Sequence, residues 1–140
     1  MRFLWLLLLL AFTALIFASS SLPAGESSQL SRPVASLLTE IVELFNITVF
    51  QDIERQLRTL AHFTEFSILA WLYCRTFAAF SVGKLTAAGY IFFFCLLTAV
   101  SAEYIQIFPP GRSSAINDVL LDFAGSFCMW MAYRIWNWHK

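Results

Sequence analysis

Charge is scarce in this chain. Asp, Glu, Lys and Arg make up 13% of its 140 residues, about half the share of a soluble domain. Nine basic and nine acidic residues cancel to a net charge of zero, so nothing in the balance attracts nucleic acid. Histidine occurs only twice, and the three cysteines, Cys74, Cys95 and Cys128, stand singly in apolar runs with no C-x-x-C. An odd count without paired spacing excludes a disulfide framework. The cysteines read as small packing residues, and no cofactor is expected.

Hydrophobic residues fill the space that charge leaves: 59% of the chain, with a mean hydropathy of +0.70. Most of the surface must then face lipid, and the length allows one compact membrane domain. Four apolar stretches, 3–18, 61–80, 85–102 and 116–136, each approach the roughly 20 residues that cross a bilayer as a helix. None alternates like a strand. The expectation is an all-α integral bundle of four transmembrane helices, about 3–22, 61–80, 85–107 and 115–136, with an outer loop over 23–60. Arg2, the first run and small residues at 18–21 also describe a signal peptide. The run is long for one and no A-x-A site follows, so a retained helix is the reading.

With four spans, one side receives Arg2, Arg75, Lys84, Arg134 and Lys140 and no carboxylate. The other receives all nine acids together with Arg32, Arg55, Arg58 and Arg112. Three of those four arginines lie in one long loop, where they count less, so both termini are expected in the cytoplasm. Trp130, Trp136 and Trp138 suit an interfacial anchor at the last helix end. In the loop, the chain from Ser19 to Pro33 starts irregular. Leu37, Leu38, Ile41, Val42 and Phe45 then recur at helical spacing, as in a helix lying on the membrane or over the bundle mouth. Asn46 begins a glycosylation sequon of little weight.

Charge beside a bilayer persists where it is paired or useful. Residues three, four and seven apart share a helix face, which groups Arg58 with His62 and Glu65, Glu103 with Gln106, and Asp118 with Asp122 and Gly125. All three sets fall at the same, outward end. Between the third and fourth helices, Pro109 and Pro110 end the helix by about Phe108. Gly111 permits a turn, and Arg112 is aimed back over the mouth. A guanidinium there can grip a carboxylate or phosphate with two parallel hydrogen bonds. Ser113 and Ser114 read as caps of the fourth helix. In the bland alternative the arginines merely neutralise the acids and lock the helices in register. Four carboxylates against two certain cations count against it. His62 with the acids offers a metal one nitrogen and several oxygens, but no second histidine supports that, and no metal is expected.

The segments from Leu57 to Phe66, from Glu103 to Arg112 and from Asp118 to Gly125 resemble the VanZ-like family in residue types, order and placement on successive helices. Ser19, Ser20 and Pro23 fit as well. The family's residue at position 122 is often Asn, so Asp122 adds an acid. The resemblance covers nearly the whole chain. It implies a small multi-pass protein of the bacterial cytoplasmic membrane, in a family whose founding member is associated with resistance to the glycopeptide antibiotic teicoplanin. It implies importance for His62, Glu65, Glu103, Gln106, Arg112, Asp118 and Gly125, and supplies no reaction. The expected function is recognition or handling of an anionic envelope lipid or lipid-linked glycan precursor. The alternatives are an intramembrane acid–base enzyme acting on a lipid phosphate and a non-catalytic accessory subunit.

Overall fold

The computed structural model describes residues 1–24 and 53–137. They form four helices: α1 (Arg2–Ser20), α2 (Ile53–Ala79), α3 (Lys84–Ile105) and α4 (Ile116–Trp136). The expected surface helix over 34–45, the sequon at Asn46 and Trp138 lie outside the described residues. Two helices, α1 and α3, are long and apolar enough to cross a membrane. The other two carry most of the helical charge. Helix α2 begins eight residues before the span read at Ala61, because a span ends where charge begins whereas hydrogen bonding continues through Arg58. Residues 53–60, assigned to the outer loop from the sequence, are therefore helical. Helix α1 likewise keeps Ser19 and Ser20, read as the start of irregular chain.

Each helix buries one stripe. On α3 it is Ala88, Ile91, Cys95, Ala99 and Ala102, small residues that let neighbouring backbones approach. The same stripe continues into Glu103 and Gln106, both buried. On α2 the stripe runs through Phe66, Leu69, Ala70 and Cys74, and one turn before Phe66 it passes through His62. On α4 it holds Asp122, Gly125 and Ser126. Helix α1 adds Leu9 and Ile16 to the common core. The opposite faces expose Leu7, Leu10, Trp71, Phe93, Leu97, Leu120 and Phe127, an apolar exterior that water would penalise. Cys74 and Cys95 pack inside as read, whereas Cys128 is on the exterior.

The α2–α4 interface is the most extensive in the bundle. Gly125 makes it close: a Cβ there would collide with the Phe63 carbonyl oxygen and lie 3.2 Å from Ser67 Oγ. Two serines cross this contact. Ser67 Oγ donates to the Phe63 carbonyl at 2.7 Å or the Gly125 carbonyl at 3.1 Å. Ser126 Oγ is 3.3 Å from the Phe66 carbonyl and 3.1 Å from that of Asp122.

Candidate functional site

The polar groups assemble at the end of the bundle where α1 and α3 finish and α4 begins. His62 comes from the inward stripe of α2, and Asp122 faces it from α4. Their Nδ1 and Oδ1 atoms are 3.2 Å apart, and Asp122 is fully enclosed. Its second oxygen, Oδ2, has no hydrogen-bond partner. A carboxylate withdrawn from solvent on that scale requires a cationic or proton-bearing partner, and His62 is placed to be one. Glu65 and Asp118 lie within electrostatic reach of the same imidazole.

Glu103 does something the sequence reading did not foresee. Its Oε2 accepts the Ala115 backbone N–H at 2.9 Å, which anchors the start of α4 to the end of α3. The expected caps, Ser113 and Ser114, do not occupy the cap position. Helix α4 starts one residue later than the 113–114 pair requires, with Ala115 at its N-cap and no side-chain cap bond. The glutamate reaching across from α3 takes over that task, with Ser114 beside it. Its other oxygen, Oε1, is buried without a partner. Asp118, in the first turn of α4, sits where a negative charge complements the helix dipole. Gln106 is buried at the C-cap of α3, one turn beyond Glu103.

The turn after α3 follows from Pro109, Pro110 and Gly111, which adopts φ +76°. The Pro110 carbonyl accepts the Ala24 N–H at 3.3 Å, so the chain leaving α1 is tied to this turn. Arg112 then reaches across to α1, donating from Nη2 to the Ser19 carbonyl at 3.1 Å. Burial and the nearby Arg58 guanidinium hold Arg112 below its usual pKa, while Glu103 and Glu65 oppose them. Arginine keeps its charge regardless.

Among the described residues the His62–Asp122 contact is the one acid–base contact within ion-pair distance, and it is an ion pair when His62 is protonated. Neither Arg58 nor Arg112 lies within ion-pair distance of a described carboxylate, so the neutralising network weighed from the sequence is not formed by them. Glu65 faces sideways instead. It lines a shallow groove of about 420 Å³ between α1 and α2, whose other walls include Phe12, Leu57, Leu60 and Ile68. Another cavity, of about 640 Å³, lies at the opposite end of the bundle. Charge, buried polar atoms and interhelical contacts mark the site described here; volume alone marks another place.

The structure thus brings His62, Glu65, Asp118 and Asp122 into one electrostatic cluster, with Glu103, Arg112 and Arg58 adjoining. The Ser19 carbonyl, Ser67 and Ser126 belong to the same framework. Only Ser19 carried a sequence signal, through its place after the first apolar run. A family model described as VanZ/LLP1 matches residues 3–137. No curated protein and no solved structure matches the chain.

Proposed function

Starting from a chain that belongs to the VanZ/LLP1 family of membrane proteins, we propose that all four helices cross the bilayer and that the polar end binds an anionic envelope lipid or lipid-linked glycan precursor at the outer leaflet. Helices of 27 and 21 residues extend about 40 and 31 Å, enough for α2 and α4 to span a hydrocarbon core of about 30 Å. Their charged residues lie toward the two helix ends or, as at Asp122, face inward, while Ile68, Trp71, Leu120, Phe127 and Met131 stay exposed.

One observation carries the ligand class. Two guanidinium groups, Arg58 and Arg112, stand close enough to repel each other, yet neither is ion-paired to a described acid. A phosphate between them would relieve the repulsion and accept paired hydrogen bonds. The acids have other roles available to them: Asp122 faces His62, and Glu103 holds the α4 backbone. The groove beside Glu65 offers an apolar track for an acyl or polyprenyl chain, while Glu65 and Asp118 would meet sugar hydroxyls.

A second reading has support of its own. An imidazole hydrogen-bonded to a buried carboxylate suits proton transfer, so the site would act as an acid–base enzyme on a lipid phosphate. A lipid-dependent product in reconstituted vesicles that disappears with His62→Gln would favour it.

The test of lipid binding is native mass spectrometry of gently extracted protein. Arg112→Lys keeps the charge and a donor for Ser19 but loses the two-pronged grip. The expected result is loss of a co-purifying anionic lipid with thermal stability nearly unchanged. Full retention of the lipid, or a parallel loss of lipid and stability, would leave Arg112 a structural residue.

A further inference from the structure

The cavity at the other end of the bundle is chemically unlike the first site. Its volume is about 640 Å³, and its lining includes Lys84 and Arg134 but no carboxylate. Among the described residues neither cation has an ion-pair partner. The other two described basic side chains at this end are engaged with aromatic rings. Arg75 lies 4.6 Å from the Trp5 ring centroid, and Arg2 packs over Phe3 and Phe80. Lys84 and Arg134 are the ones left facing a hollow, and Phe77, Ile91 and Trp130 form its apolar wall.

The backbone favours an anion at the same place. Lys84 opens α3, whose first turn contains no acid and whose N-cap, Gly83, supplies no side-chain acceptor. Its leading N–H groups and the positive end of its dipole face the turn. Ser81, on the cavity wall, holds φ +58°, a left-handed conformation costly for a residue with a Cβ. Two cations without an ion-pair partner among the described residues, the leading N–H groups of a helix with no side-chain cap bond and an aromatic wall, set at the end of membrane-length helices, match one class of molecule: a phosphate head attached to an acyl chain.

We propose that this cavity is a second binding site, for an anionic glycerophospholipid of the leaflet at that end. Lys84 and Arg134 take its phosphate, and its first acyl segment lies against Phe77 and Trp130. The site is independent of the arginine pair at the opposite end and does not rest on the function proposed for that pair.

Trp130 reports on it directly. The test places the full chain, with Trp5, Trp71, Trp136 and Trp138 changed to Phe, in phosphatidylcholine vesicles containing a minor fraction of lipid with brominated chains. Bromine quenches indole only on contact. Brominated phosphatidylglycerol is expected to quench Trp130 at far lower mole fraction than brominated phosphatidylcholine. At about 1 kcal/mol per cation, each of Lys84→Gln and Arg134→Gln should weaken the effect about fivefold, and the double variant about thirtyfold. The exchange Lys84→Arg with Arg134→Lys should restore it. Arg112→Lys should leave it unchanged, which separates this site from the other. Equal quenching by the two lipids, or indifference to both single variants, would overturn the proposal. Binding of inorganic phosphate in lipid-free micelles, without quenching by brominated phosphatidylglycerol, would overturn the assignment to lipid.

Discussion

Asp122 is a fully buried carboxylate with one imidazole for company. Removing one member of such a pair leaves an uncompensated buried charge, and breaking buried pairs costs about 3–5 kcal/mol. His62→Ala should therefore lower the melting temperature in detergent sharply. Asp122→Asn, which keeps the shape and removes the charge, should cost much less, and His62→Ala in that background should lose most of its penalty. Equal penalties in both backgrounds would mean that the two side chains do not interact. Gly125→Ala is a separate case. Alanine gains about 1 kcal/mol of helix propensity, but its Cβ meets the Phe63 backbone, which cannot yield as a side chain would. Overpacking of about 1–3 kcal/mol should win, giving a net loss of stability in the same thermal assay. At this scale the sequence disclosed His62, Asp122 and Gly125, because helical spacing puts them on inward stripes. It could not disclose that Arg112 would donate to the Ser19 carbonyl, since a backbone acceptor has no side-chain signature. Glu103 was legible as important but not as the acceptor for Ala115, because its partner is a peptide N–H twelve residues away.

Among the elements, α1 has a double attachment. Leu9 and Ile16 enter the common core, and Arg75 and Trp71 on α2 both meet Trp5. At its far end the Ser19 carbonyl receives Arg112 and the chain beyond it is bonded to Pro110. Cleavage after the first apolar run would undo all of these contacts. The expected outcome is that the intact mass of protein purified from membranes includes residues 1–20; a mass starting near position 22 would make the segment a signal peptide. Apolar length made the existence of all four helices legible. The start of α2 was less so, because hydropathy tracks the solvent a residue prefers, whereas its backbone continues helical through polar sequence.

Across the whole molecule, the acids with described side chains all lie at one end, where Glu65, Glu103, Asp118 and Asp122 gather with Arg58 and Arg112 beside them. Arg2, Arg75, Lys84 and Arg134 occupy the other end, which has no described acid. That polarity motivates the orientation with both termini in the cytoplasm. Alkaline phosphatase fused after Lys140 should be inactive, and fused within 26–56 active. The reverse pattern would put the acidic pole in the cytoplasm and remove the outer-leaflet assignment.

The close contact between α2 and α4 has a consequence for how the protein is made. These helices are not neighbours in the chain, and α3 is synthesised between them. Until α4 leaves the ribosome, His62 and the backbone surface around Phe63 that Gly125 later covers have no counterpart, and an unfinished chain carries a half-built polar seam. Every nascent chain passes through that vulnerable interval, and one stopped after Ile105 remains in it. Such a truncated product should be cleared by membrane proteases much faster than the full chain in a pulse-chase experiment. A helix made later thus completes the polar seam of one made earlier.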